Sequence, residues 1–309
     1  MKFSRVVHRV AFVTGLSIFL ARRKRVRRIL MLHGVGDAAM PAQEFAEGIE
    51  WLSRRQRVVA LGTMVDDIAQ GRPVPPGGEV AITFDDGLRN QLSLAYPVLE
   101  RHGTPATFFV CPGLIEGRRW IWNQEARERL RELQPEALGA FAATISAPIA
   151  EVEALVARMK TLPYAARLEA EQRLRDLTPA FAPTEATRLA YDPLAWDDFP
   201  RIDPGLVTIG SHTVSHPILT RIDDQHLERE LTESRRVLED RLGRSVDLFC
   251  YPNGSMDQRV REVAERVYRA AVTTDYGFVH DTQRLHGLRR IPVSPSLPLL
   301  AWRMHRPTA

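Results

Sequence analysis

The chain has 309 residues, 44% of them hydrophobic and 26% charged, with a net charge of +4, a balance suited to one large soluble domain or two small ones. Nine Lys or Arg and no acid fall within residues 1–28, so the rest of the chain is net acidic. The basic character belongs to an N-terminal arm, and no basic patch with interleaved aromatics argues for a nucleic-acid partner.

Within the arm, VAFVTGLSIFLA (10–21) is an apolar run of 12 residues, against the roughly 20 that a spanning helix needs. It has the length of a signal-peptide core, but RRKRVRR (22–28) follows at once and no small-residue cleavage site does. That disfavours cleaved export and favours the cytoplasm or the inner membrane face. Two readings stay open: a helix packed on the domain, which is preferred, or a segment in peripheral contact with anionic lipid.

After the arm, RILMLHGV (28–35) and RVVALGTM (57–64) read as strands on either side of the helix PAQEFAEGIEWLSRR (41–55). GRPVPPGG (71–78) is a loop, EVAITFDDG (79–87) a strand, NQLSLAYPVLERHG (90–103) a helix closed by Gly103, and PATFFVCPG (105–113) a strand. Residues 124–190, rich in Ala, Arg, Glu and Leu at helical spacing, read as a helical insertion within a domain spanning 29–309. The alternation resumes with strand GLVTIGSH (205–212) and a charged helix over 223–243, whose charges are a solvated face. Strand VDLFCYPNG (246–254), helix DQRVREVAERVY (257–268), strand RAAVTT (269–274) and LRRIPVS (288–294) complete the chain. The two cysteines, Cys111 and Cys250, sit in apolar strand-like runs and read as buried thiols.

This pattern predicts an α/β fold with a mainly parallel sheet, in which reactive groups collect at the C-terminal ends of strands. His33, Asp85, Asp86, Ser211, His212 and residues 251–254 all fall at such ends and are expected on one face. Asp85 and Asp86 are adjacent like charges, which cost free energy unless something positive holds them. His212 and His216 lie four apart, so one helical turn would set both imidazoles on one side. With one carboxylate they make a two-His, one-Asp site with open positions for a divalent metal that activates water. The other aspartate is left as a base, and Gly87 lets the backbone turn.

Together, TFDDG (83–87), SHTVSHP (211–217) and FCYPNG (249–254) resemble the motifs of the polysaccharide deacetylase family, also called the NodB-homology or carbohydrate esterase 4 group. ILMLHGV (29–35), PATFFV (105–110) and LRRIPV (288–293) are similar to further family elements in the same order. The resemblance implies a distorted (β/α) barrel, one divalent metal ion, usually zinc (Zn2+) with Co2+ or Ni2+ as alternatives, and removal of N-acetyl or O-acetyl groups from sugar polymers. Position by position it implies Asp85 as the catalytic base, Asp86, His212 and His216 as metal ligands, and the backbone N–H of Tyr251 as an oxyanion donor.

Two departures stand out. Cys250 occupies the place of the family's base-orienting arginine, and HGLRRIPV (286–293) stands where a plain L-x-H motif is expected. Arg290 is then the candidate base orienter, with a barrel-rim salt bridge as the alternative, and His286 or His280 the candidate general acid, with an ordinary loop histidine as the alternative. His33 reads as a neighbour of the base or an edge-of-core residue. Trp120 and Trp122 read as packing residues ahead of a sugar-stacking platform, and Trp196, similar to the family's short Trp-containing segment, as a packing residue.

The expected partner is an acetylated glycan, and the oligomeric state is not set by the sequence. A non-catalytic carbohydrate-binding protein on the same fold, or a deacetylase of a non-sugar amide or an O-acetyl ester, are the alternative functions.

Overall fold

A computed structural model describes residues 2–280 and 284–307. The chain opens with α1 (Lys2–Val13) and α2 (Leu16–Arg23), then β1 (Arg27–Leu32), α3 (Ala42–Arg55), α4 (Leu61–Ala69), β2 (Glu79–Phe84), α5 (Tyr96–Arg101) and β3 (Ala106–Val110). Next come α6 (Pro112–Gly117) and five helices, α7 (Trp122–Glu132), α8 (Pro135–Thr144), α9 (Val152–Thr161), α10 (Tyr164–Leu177) and α11 (Glu185–Tyr191). The remainder is β4 (Val207–Ser211), α12 (Asp224–Leu242), β5 (Leu248–Cys250), α13 (Gln258–Val267), β6 (Ala270–Tyr276), β7 (Leu288–Pro292) and α14 (Leu297–Arg303).

The seven strands close into a barrel in sequence order, every neighbouring pair parallel, with β7 returning to β1. This is the parallel α/β arrangement that the alternation predicted, closed into the distorted (β/α) barrel that the family resemblance implied. The distortion shows in the pairing: β1 and β2 match over six residues, whereas β4 and β5 share only Ser211 with Phe249. The first three strands are buried along their whole length, as strands covered on both faces must be. Phe84 and Phe108 meet edge to face at 5.2 Å, and Phe45 of α3 reaches Phe84 at 5.9 Å.

Helix α12 is set at both ends by its capping residues. Asp223 accepts the His226 N–H at 2.8 Å to start α12, and Gly243, with a left-handed φ of 64°, closes it. The five helices α7 to α11 lie between residues 122 and 191 and form an apolar cluster around Leu130, Phe141, Leu155 and Met159.

Two expectations need correction here. The strand predicted over 57–64 is absent: Val58 makes only an isolated parallel bridge to Val80, and the chain turns into α4 at Leu61. The signal for that helix lay in Leu61, Met64, Val65 and Ile68, which recur at helical spacing and are all buried. In addition, β1 begins at Arg27, so two of the arm's nine basic residues belong to the barrel. Arg27 donates to Glu79 at 2.8 Å with both side chains inaccessible, and Arg28 donates to the carbonyls of Met304 and Ala21.

Ahead of β1, the arm folds back as an α1–α2 hairpin against α14 and α3, with His8 against Trp302 at 5.0 Å and Phe12 against Trp51 at 6.4 Å. No helix among the described residues is long and apolar enough to cross a membrane.

Candidate active site

β2 delivers Asp85 and Asp86 to the C-terminal mouth of the barrel. The Asp85 N–H extends the ladder onto Leu32 O at 2.9 Å, and Asp86 and Gly87 then both take left-handed φ values, 77° and 66°. A Cβ on Gly87 would lie 2.9 Å from the Val110 side chain, so glycine is required by space as well as by φ. Gly87→Ala is expected to cost about 1–3 kcal/mol, read as a lowered midpoint in a thermal melt. Beneath this turn, Gln91 donates to His33 O at 2.8 Å and also to Asp85 O, tying the ends of β1 and β2 together.

The positive partner that the aspartate pair required is Arg290 on β7. Its Nη1 and Nη2 donate to the two oxygens of Asp85 at 2.6 and 2.7 Å, while its Nε donates to Thr273 O at 2.7 Å. Arg290 is fully buried and Asp85 nearly so. Burial alone would raise the Asp85 carboxyl, but Arg290 outweighs it and holds the group well below the ordinary carboxylate range. The guanidinium also lies 3.3 Å from Cys250 Sγ, so an arginine from β7 fills the space beside the residue that replaced the expected one. The pair is a buried bidentate fork, not a rim salt bridge.

Asp86, His212 and His216 come together on the other side of Asp85. Both histidine Nε2 atoms lie 3.6 Å from Asp86 Oδ1, and all three residues are buried. The His212 Nδ1–H donates to Cys250 O at 2.7 Å, which fixes the ring with Nε2 facing Asp86. Burial, with His212 alongside, pulls His216 down to about 3, which keeps it neutral and able to donate a lone pair. An ion about 2.0–2.2 Å from each of its tetrahedral ligands holds those ligand atoms roughly 3.3–3.6 Å apart, so this donor set fits a divalent metal. Asp85, His212 and Cys250 form a second group of close donors. It does not serve the same purpose, because Arg290 occupies Asp85 and burial pushes the Cys250 thiol up and keeps it protonated.

The two histidines are not on a helical turn, as their spacing suggested. They lie on an irregular loop after β4, in which Thr213 and His216 take left-handed φ values of 69° and 57°. Glu230 of α12 pins the loop by accepting from the Val214 and Ser215 N–H groups at 2.8 and 2.9 Å and from Ser215 Oγ at 2.6 Å.

A cleft of about 260 Å³ opens over these groups. His33 stands at its edge, its Nε2 4.0 Å from Asp85 Oδ2. Asn253, three residues past β5 with φ 55°, also lines it, and its amide nitrogen is buried and has no hydrogen-bond partner. The far wall comes from the insertion, with Gln124, Arg127, Lys160 and Tyr191. Gln124 donates to Asp86 Oδ2 at 3.3 Å. Sequence reasoning found no motif in the insertion and missed these residues.

Two expectations do not hold in this geometry, and a third does. His286 lies just before β7 and His280 beside the start of β1, at the end of the barrel away from Asp85, and His286 Nε2 is bonded to Tyr268 O at 2.8 Å. The Tyr251 N–H, expected to face an oxyanion, is directed at Val272 O at 3.3 Å along the ladder, and its ring is buried against Phe249. The expectation that holds is packing: Trp120, Trp122 and Trp196 do not line this cleft, with Trp120 donating to Asp192 at 2.8 Å, Trp122 buried in the insertion's core and Trp196 donating to Glu116 at 2.6 Å.

The family model for polysaccharide deacetylases matches residues 73–143 and 184–271, and the unmatched gap falls inside the helical insertion. The chain belongs to the polysaccharide deacetylase family. A curated relative from Bacillus subtilis (strain 168), named as a polysaccharide deacetylase, YxkH, is 20% identical over 87% of this chain and 72% of its own length. Two solved structures share the fold. The Streptococcus pyogenes deacetylase PplD in complex with acetate has a TM-score of 0.62 at 17% identity, covering 91% of this chain and 98% of that one. IcaB from Ammonifex degensii has a TM-score of 0.60 at 18% identity, covering 92% and 98%. As a polysaccharide deacetylase the chain is a hydrolase of a family that removes acetyl groups from glycans. The deacetylase carries its aspartate pair and histidine pair within the matched segments, whereas Arg290 and His33 lie outside them.

Proposed function

We propose that this deacetylase is metal-dependent and acts on N-acetylated amino sugars in a polysaccharide or a lipid-linked glycan. The observation that carries the reading is the buried cluster of Asp86, His212 and His216 beside an aspartate held ionised by a bidentate arginine. Those three residues would hold one divalent ion, zinc by the softness and number of the donors, with cobalt or nickel as substitutes. Bound there, the ion supplies Lewis-acid polarisation of the acetyl carbonyl and of water.

The protein's own groups account for the proton traffic. A carboxylate offers about four lone-pair sites, so Asp85 keeps acceptor capacity beyond its two bonds to Arg290 and takes the proton of the attacking water. The Asn253 amide, lacking any other partner, donates to the acetyl oxygen as negative charge develops on it. His33, the one imidazole of the cleft outside the ligand set, gives a proton to the departing amine. Asn253→Ala is expected to lower kcat by about 10²–10³-fold with a smaller change in KM.

Zinc titration of chelated protein by calorimetry tests the ligand set: one site is expected, abolished in His216→Ala. Glu230→Gln, which loosens the loop without touching a ligand, is expected to weaken that site about 10–100-fold. Acetate release compared between N-acetylglucosamine oligomers and an O-acetylated polysaccharide tests the substrate class. Preference for the O-acetyl substrate would overturn the amino-sugar reading.

A further inference from the structure

The α1–α2 hairpin is apolar on two opposite sides. His8, Ala11 and Phe12 face the protein body, meeting Trp302 and Trp51. Val6, Val10 and Val13 lie on the other side of the same helix at spacings of four and three, and each is more than half exposed, up to 76% for Val13. On α2, Leu16 and Phe19 are exposed as well. A helix needs one apolar face to dock; a second one facing outward calls for something to cover it.

Charge identifies the cover. Arg5, Arg9, Arg22 and Arg23 are exposed on the same two helices, and residues 1–28 contain no acid. At the end of α2, Arg22 forms one side of a cleft of about 490 Å³ whose other walls are Arg54, Gln56, Arg57, Arg55 and the backbone of residues 76–78, with no acidic side chain among them. Arg54 pairs with Glu50 at 2.8 Å, and Arg57 lies 3.9 Å from Glu79, which Arg27 already holds. The Arg55 guanidinium has no partner among the described residues.

We propose that this surface docks on a lipid bilayer with anionic headgroups. The exposed apolar side chains from Val6 to Phe19 enter the interface, and the arginine cleft receives a headgroup phosphate. A second copy of the chain is the poorer occupant, because it would bring the same arginines against themselves. The inference stands apart from the catalytic reading, since none of these residues lines the cleft over Asp85.

The experiment is co-sedimentation of the full chain with phosphatidylcholine vesicles, with and without phosphatidylglycerol, at low and high salt. Binding is expected to the phosphatidylglycerol vesicles, weakened by salt. Val10→Glu with Phe19→Glu is expected to weaken it at least tenfold, and Arg54→Ala with Arg55→Ala by about fivefold per arginine. All four positions are exposed, and an unchanged thermal melt and unchanged turnover of a soluble substrate would confirm that the variants are folded. The proposal is overturned by equal binding to neutral vesicles, by no binding to anionic ones, by variants that bind as well as the parent chain, or by a dimer in light scattering that Val10→Glu dissociates.

Discussion

Asp85→Asn is expected to lower kcat for acetate release by about 10²–10⁴-fold, the range for loss of a positioned general base, while zinc still binds. The amide keeps one oxygen for the Arg290 fork but has no basic lone pair to take a proton from water. Asp86→Asn makes the contrasting case, because it removes a donor from the cluster of His212 and His216 and is expected to lose zinc along with activity. Measuring both variants by calorimetry and turnover separates the two neighbouring carboxylates by role. Equal loss of zinc in both would contradict the division.

Arg290→Met is expected to have the largest effect on stability. It leaves Asp85 as an uncompensated charge at a site only 2% exposed, and breaking a buried pair in this way costs about 3–5 kcal/mol. For a chain of this size that corresponds to a drop in Tm of roughly 5–8 °C. Arg290→Lys restores the charge but not the fork, so it is expected to recover stability more than kcat. An arginine in a rim salt bridge would cost only about 0–1 kcal/mol when removed, and a shift that small would show that the buried fork does not hold the base.

Much of this site was legible because its signals are local. The Asp85–Asp86 pair and the two histidines each follow an apolar strand, and a parallel barrel brings such strand ends to one mouth whatever lies between them. The same rule, applied strictly, places His286 at the wrong end, since it precedes its strand. Asn253, by contrast, follows β5 and sits with glycine in a left-handed turn, a signal that was present in the Asn-Gly pair. Whether Arg290 lay on a rim or in the core depends on burial from every neighbouring element, which one strand's pattern does not contain. Gln124 and Lys160 were hidden for a similar reason: helical spacing tells which face of α7 or α9 is apolar, but not that these helices lean over the barrel mouth. Two altered motifs, Cys250 in the third and HGLRRIPV in place of L-x-H, had motivated a binding protein without catalysis; Arg290 reaching the same space from β7 answers the first of them.

The central claim is best tested by acetate release from N-acetylglucosamine oligomers, measured on the purified protein after chelation and again after reloading with zinc. The account predicts activity abolished by chelation and restored by the metal. Turnover that persists unchanged in the chelated protein would contradict it.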